Sequence, residues 1–182
     1  MKKLMILMLL IMAWGCEEKD ILLYPTIEES GVFSITTSGF EEKVVIPVSE
    51  INDAIYDVSD GSSINEIILE AIWVEVTPKQ GNTATRVSMD LSIQSWSTKE
   101  FIGVVEGFEV TIGDEPMKVA VVKGLQEAGV NELKLQLNEI AKGNGWQDVV
   151  FETEGVVTPP DGVINVDIEV FVRGTLVYAE TI

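Results

Sequence analysis

The 182-residue chain is long enough for one domain with a hydrophobic core, and it carries 12 basic against 30 acidic residues, a net charge of −18. Such a field repels phosphate groups, so nucleic acid is excluded as a partner. The sequence has no histidine and a single cysteine, which removes the commonest general base, the commonest transition-metal ligand and any internal disulfide. Ser-His-Asp triads, Cys-His dyads and zinc, copper or haem sites are therefore not expected, and no cofactor is predicted.

The chain opens with the pattern of an export signal. Lys2 and Lys3 precede an uninterrupted apolar run of eleven residues, 4–14, and the small residue Gly15 then precedes Cys16. The run is too short to span a bilayer, which takes about 20 apolar residues, and it has the length of a secretory signal core. The sequence therefore predicts export.

A small residue before a cysteine at the end of such a run resembles the lipobox of bacterial lipoproteins. The resemblance implies that residues 1–15 are a signal peptide and that Cys16 becomes the lipidated first residue of the mature chain, anchored in a membrane by fatty acids such as palmitate. The acidic cluster at residues 17–20 is similar to the surface-export signal of some Gram-negative lipoproteins, which implies a surface-exposed location on the outer membrane. The alternatives are an ordinary secretory signal with an incidental cysteine and a solvated tether at residues 17–20.

The body of the chain is predicted to be β. Residues 16–30, which contain Pro25, have the composition of a linker and predict a tether, so the folded domain is expected at residues 31–182. Residues 86–97 and 163–172 alternate apolar and polar side chains, which is typical of antiparallel strands with one wet face. Residues 67–77 are almost continuously apolar, which predicts a central strand covered on both faces.

Two segments show helical spacing. Residues 49–58 predict a short helix, with Ser49 as its N-cap. Residues 126–142 fit both periods, and their length, helix-forming residues and terminal Gly143 favour a helix over a strand. The predicted fold is a single antiparallel β-sandwich of seven or eight strands with one capping helix near 126–142, and the alternative is a half-open barrel.

Carboxylates are frequent, but the sequence predicts no catalytic residue. Glu152 with Glu154 and Asp167 with Glu169 form i, i+2 pairs on strands expected to be hairpin neighbours. A glycosidase needs two carboxyl groups that face each other across a cleft, whereas such pairs occur on the wet face of any acidic sandwich. The acidic turn at residues 57–63 lacks the spacing of a calcium loop, and no metal site is predicted.

Aromatic residues at wet strand positions are the candidate binding residues. By strand parity Trp96 and Phe171 face the polar side, and such side chains usually have a partner. They would stack on a sugar, dock another protein, or lie beneath the helix at 126–142, which is the arrangement expected for Trp96. Trp73 is predicted to be core, and Trp146 is predicted to pack where this helix meets the next strand.

The sequence therefore predicts a non-enzymatic, lipid-anchored β-sandwich of the bacterial outer membrane or cell surface with a binding or structural accessory role. Its partners would be the membrane and a protein or a glycan. One alternative is a carboxylate-dependent glycan hydrolase, which a deep cleft with two facing acids would favour. Another is a subunit of a surface filament or secretion complex, which long unprotected edge strands would favour.

Overall fold

A computed structural model describes residues 20–59 and 64–181. These residues form nine strands and two helices, which we number in chain order. The strands are β1 (Asp20–Leu23), β2 (Thr26–Ile35), β3 (Gly39–Ile46), β4 (Ile64–Pro78), β5 (Arg86–Gln94), β6 (Phe101–Thr111), β7 (Met117–Ala120), β8 (Val149–Thr158) and β9 (Val166–Thr181). The helices are α1 (Val48–Ser59) and α2 (Glu127–Ala141). No helix in this part of the chain is both long enough and apolar enough to span a membrane.

The strands form two antiparallel sheets. In the first sheet β9 lies between β4 on one side and β1 and β2 on the other, and β7 extends it beyond β4. The second sheet has the order β3-β8-β5-β6. One apolar core contains buried side chains from both sheets and both helices. The predicted mainly β fold, an antiparallel sandwich with a capping helix, is confirmed.

Strand alternation places the core as the sequence predicts. On β5 the buried side chains are Val87, Met89, Leu91 and Ile93, and their neighbours are half-buried or exposed. On β9 and the residues before it the buried side chains are Ile164, Val166, Ile168, Val170 and Val172. Each strand therefore turns one apolar face to the core and one polar face outward.

β4 differs from the expectation of a strand covered on both faces. A bulge between Leu69 and Ala71 shifts its register against β9, so the buried positions change from Ile67 before the bulge to Ile72 after it. A bulge adds one residue to one strand and so reverses the alternation. Ile68 is 47% exposed. On β9 the bulge lies opposite Gly174, which pairs with Leu69.

Residues 20–30 also differ from the expectation of a tether. β1 pairs with residues 178–181 of β9, and β2 pairs with residues 166–175 of the same strand. The carbonyl of Pro25 accepts a hydrogen bond from the Leu176 N–H at 2.8 Å, so the edge of β9 is occupied even between β1 and β2. Ile27 is buried in the core. Regular structure therefore begins by Asp20, before the predicted domain start at residue 31.

Both predicted helices form, and the strand alternative for residues 126–142 is wrong. Leu133, Leu137 and Ile140 of α2 are buried, as the helical period requires. Gly143 follows in the left-handed region at φ +72, where glycine is favoured. Residues 60–63, which belong to the turn predicted at 57–63, lie outside the described residues.

Helix α2 joins the two sheets at one end of the sandwich. The Asn138 side chain accepts a hydrogen bond from the Ile67 N–H at 2.9 Å and donates one to the Ile67 carbonyl at 3.1 Å. Two residues earlier, Gln136 Nε2 donates to the carbonyl of Gln94 in the second sheet at 2.7 Å. These bonds satisfy backbone groups at the edge of β4 and at the end of β5, and they fix the helix across the gap between the sheets.

Candidate functional site

The predicted lipidation site, Cys16, lies outside the described residues, so its role stays a prediction. The described chain starts four residues later, at Asp20 of β1. The other predicted site residues, Trp96 and Phe171, lie among the described residues.

Trp96 lies just after β5, beside helix α2. Its side chain is half-buried and packs against the core, and its indole Nε1–H donates a hydrogen bond to the carbonyl of Asp148 at 3.1 Å. Its backbone N–H donates to Oε1 of Glu132 on α2 at 3.3 Å. The indole is thus held between the helix and the residues that follow it, which leaves only part of its surface for a ligand.

Phe171 lies on the outer face of the first sheet, since its neighbours Val170 and Val172 are buried. Lys118 reaches across this face from β7, with its Nζ 3.4 Å from the centre of the Phe171 ring. The same ammonium is 2.6 Å from Oε1 of Glu28 on β2. Phe171 is therefore half-covered by a cation–π contact, whose cation an acidic residue holds in place.

The structure does not bring the two candidate aromatic residues together. Trp96 belongs to the second sheet and Phe171 to the outer face of the first. The residue paired with Phe171 is Trp73, on the adjacent strand β4. Trp73 is half-buried on this outer face, not in the core as predicted, because the bulge in β4 reverses its parity, and its Nε1 is buried without a hydrogen-bond partner among the described residues.

Trp146 also departs from its predicted place in the packing. It lies in the connection between α2 and β8 and is 81% exposed. Residues 143–145, Gly-Asn-Gly, precede it, and their turn composition is the signal that could have predicted a protruding loop. An indole so exposed is free to contact a partner, so Trp146 is a candidate binding residue that the sequence reasoning missed.

The acidic pairs on β8 and β9 are not hairpin neighbours, because β8 belongs to the second sheet and β9 to the first. Glu152 lies 3.6 Å from Lys43. Asp167 is 2.6 Å from Lys79 and accepts a hydrogen bond from the Ser34 hydroxyl, and these contacts, the lysine first, lower the pKa of Asp167 below its usual value. The two pairs therefore lie in different sheets, and one member of each pair has a lysine beside it.

Three carboxylates, one of them Glu154 of the β8 pair, form a row across the outer face of the second sheet. Glu41, Glu154 and Asp90 are directly paired residues on β3, β8 and β5. Asp90 accepts a hydrogen bond from the Gly107 N–H at 2.6 Å. The row borders a solvent-open depression, and no cluster of three acidic residues in the described chain has the arrangement of a metal site. This surface presents negative charge but does not enclose a substrate.

Glu29 is the one acidic side chain at a core-facing position of β2. It follows Ile27 in the alternation of that strand and lines a narrow apolar crevice with Ile51 of α1 and Leu133 of α2. Burial raises the pKa of the Glu29 carboxyl, and the negative charges of Glu50 and Asp53 on α1 raise it further. The alternation from Ile27 to Ile35 could have predicted this position once the strand was known to start at Thr26.

We expect Glu29→Gln to stabilise the fold at pH 7 more than at pH 4. The folded state raises the pKa of the Glu29 carboxyl, so it binds the carboxyl proton more tightly than the unfolded state does. The protonated carboxyl contributes this stability below the unfolded pKa, and the contribution is lost as the pH rises through the folded pKa. Glutamine keeps the neutral form at both pH values. The thermal unfolding midpoints of both chains at the two pH values measure the difference.

Glu42→Gln, at an exposed position of β3, is the control for removing one charge from an acidic chain. At pH 7 it should shift the thermal unfolding midpoint by less than Glu29→Gln does. Equal shifts for the Glu29 variant at both pH values would show that the carboxyl is not destabilised by its position.

Comparisons with known proteins identify no family. Neither a family model nor a curated protein sequence matches the chain. Among solved structures, it is similar to Desmodium yellow mottle tymovirus, with 11% identity, 91% of this chain and 92% of that chain covered, and a TM-score of 0.40. It is also similar to the empty head of turnip yellow mosaic virus, with 12% identity, 91% of this chain and 85% of that chain covered, and a TM-score of 0.39. A third similar structure is tobacco necrosis virus, with 11% identity, 89% of this chain and 97% of that chain covered, and a TM-score of 0.33. A likeness at this level says nothing about what this chain binds.

Proposed function

We propose that the chain is a lipid-anchored β-sandwich protein of the bacterial outer membrane or cell surface, with a binding or structural accessory role. The observation that carries the proposal is the signal-like run at residues 4–14, which leads to the single cysteine, Cys16, shortly before a mainly β domain. Fatty acids on Cys16 contribute roughly 0.8 kcal/mol per buried CH₂, so more than one chain gives stable attachment. The outer-membrane location rests on the acidic residues 17–20.

Replacing Cys16 by alanine is expected to release the protein from the membrane. The wild-type chain should label with a palmitate analogue and fractionate with membranes, whereas Cys16→Ala should not label and should appear in the soluble fraction. Gel-based detection of the label and of the protein in each fraction measures both effects.

The substitution should leave the circular dichroism spectrum of the folded domain unchanged, which controls for misfolding. A wild-type chain that carries no label would contradict the lipid anchor. If the Cys16→Ala chain then also stays in the membrane fraction, residues 1–15 hold the protein themselves.

A glycan hydrolase is the second candidate, and the pairing of Asp90 with Glu154 favours it. Directly paired side chains on neighbouring strands have Cβ atoms about 5 Å apart, which is close to the carboxyl separation of a retaining glycosidase. However, the pair lies beside an open depression and not in a deep cleft, so little protein surface is available to hold a sugar ring between the two carboxyl groups. We therefore rank this function below the first.

A subunit of a surface filament or secretion complex is the third candidate. It is weakened where strand edges are covered, although the outer edges of β2 and β3 pair with no further strand among the described residues. On β6 the backbone of residues 104–106 bonds to that of residues 124–126, with Glu106 N to Gly124 O at 2.9 Å and Gln126 N to Val104 O at 2.8 Å. Asn138 occupies the edge of β4 at Ile67. Covered edges do not offer a ladder for strands of another subunit.

A further inference from the structure

The end of the sandwich nearest to Cys16 has a distinct surface. We call it the helix end, and it consists of β1 with the following Tyr24, α1, residues 95–100 and residues 143–148. The two sheets meet there, because α2 binds Ile67 of the first sheet and Gln94 of the second. Asp20, the first described residue, is at the same end, since it pairs with Thr181 at the end of β9.

The exposed aromatic side chains of the described residues all lie at the helix end. They are Tyr24, 59% exposed directly after β1, Tyr56, 61% exposed on α1, and Trp146, 81% exposed after α2. The connections at the opposite end, residues 36–38, 79–85, 112–116 and 158–165, contain no aromatic residue. Aromatic exposure is therefore confined to one end of the domain.

The length of chain between Cys16 and β1 restricts where an anchor can lie. Four residues span at most about 14 Å when fully extended. The far end of β9, at Val166, lies 15 residues from Thr181, which is about 50 Å along the strand. A lipid on Cys16 therefore holds the helix end, and not the opposite end, at the membrane surface.

We infer that the helix end rests on the lipid surface, with the side chains of Trp146, Tyr56 and Tyr24 in the headgroup layer. The inference rests on the proposed lipid anchor. Tryptophan and tyrosine favour the membrane interface because an apolar ring and a polar N–H or O–H group suit a layer that is apolar on one side and wet on the other. A partner of this chemistry explains why exposed rings are confined to the end that the anchor holds.

The charge at the helix end selects the kind of lipid. Glu50, Asp53 and Asp57 are exposed on α1, the helix that carries Tyr56. Acidic side chains are repelled by anionic headgroups within a Debye length of the surface. The surface therefore suits zwitterionic lipid, such as phosphatidylcholine or phosphatidylethanolamine.

Depth-dependent quenching of Trp146 tests the inference. The full chain is purified from membranes with its lipid and reconstituted into phosphatidylcholine vesicles, with or without a nitroxide on the fifth acyl carbon. The difference in emission between the wild type and Trp146→Phe reports Trp146. We expect Trp146 to lose most of its emission to the nitroxide and to become less accessible to acrylamide than in detergent-free Cys16→Ala protein.

The matched control combines Trp146→Phe with Val163→Trp, because Val163 is 60% exposed at the opposite end of the sandwich. The tryptophan introduced at position 163 should keep its emission in nitroxide vesicles. Equal quenching at the two positions, or no quenching of Trp146, overturns the inference.

Flotation of the same samples separates this result from the proposed function. If the protein floats with the vesicles while Trp146 stays unquenched, the lipid anchor stands and the orientation is wrong, so the exposed rings would serve another partner. If the protein does not float, the anchor fails and the inference fails with it. Replacing a third of the lipid with phosphatidylglycerol should weaken the quenching of Trp146, and stronger quenching would overturn the assignment of zwitterionic lipid.

Discussion

Ile168→Ala and Leu91→Ala are each expected to lower the free energy of unfolding by about 2–5 kcal/mol. Ile168 is 0% exposed on the central strand of the first sheet, and Leu91 is 3% exposed on β5 of the second. Alanine removes the buried methylene and methyl groups and leaves a cavity between the sheets, where paired strands limit collapse. Urea unfolding followed by circular dichroism measures the change.

Ser92→Ala is the matched control for Leu91→Ala, because Ser92 is the next residue on β5 and points to the opposite face. It should change the free energy of unfolding by no more than about 0.5 kcal/mol. If Leu91→Ala cost as little as Ser92→Ala, the face of β5 that the structure buries would be wrong.

Trp96→Ala is expected to cost about 3 kcal/mol, near the lower end of the range for truncating a tryptophan in a core. The ring is half-buried against the core, and the Asp148 carbonyl would lose the indole N–H that it accepts at 3.1 Å. Trp96→Phe keeps a ring and removes the donor, so it should cost about 1 kcal/mol. Thermal and urea unfolding measure both.

Trp146→Ala is the comparison for Trp96→Ala, since both tryptophans lie at the helix end and differ in burial. The 81% exposed Trp146 has little packing to lose, so its truncation should leave stability within about 0.5 kcal/mol. If Trp96→Ala also left the free energy of unfolding unchanged, Trp96 would be a recognition residue instead of a packing residue. Its loss should then weaken binding to a partner.

The sequence predicts most strongly where local pattern and tertiary structure agree. β5 and the part of β9 up to Val172 alternate without interruption, so their inward faces could be assigned residue by residue. Helix α2 could be placed to within one residue at each end, because Gly143 and the run of helix formers mark its extent. These features need no knowledge of which strands are neighbours.

Features that depend on strand pairing could not be predicted in this way. The bulge in β4 is a register shift against β9, and it moves Trp73 from the expected core to the outer face. β1 and β2 form because β9 is long enough to pair with both, although residues 16–30 have the composition of a linker. β8 and β9 follow each other in sequence but enter different sheets, which a turn sequence alone does not distinguish from a hairpin.

The candidate binding residues also divide into those that the sequence predicts and those that only the structure brings together. Trp96 and Phe171 could be chosen from parity, but parity does not say that they lie on different sheets. Cys16 and the signal-like run before it come from the sequence alone. Tyr24, Tyr56 and Trp146 become a group only when the topology brings three distant segments to one end of the sandwich.

The position of β9 also sets the order in which the sheets can form. All strands of the second sheet are present once residue 158 has been made, whereas β1, β2 and the full length of β4 wait for residues 166–181. Contacts between such distant segments form slowly, because a long loop must close before the paired strands stabilise it. The second sheet and α2 can therefore collapse first, and the first sheet then closes around the late-arriving β9, with β1 and β2 added to its free edge.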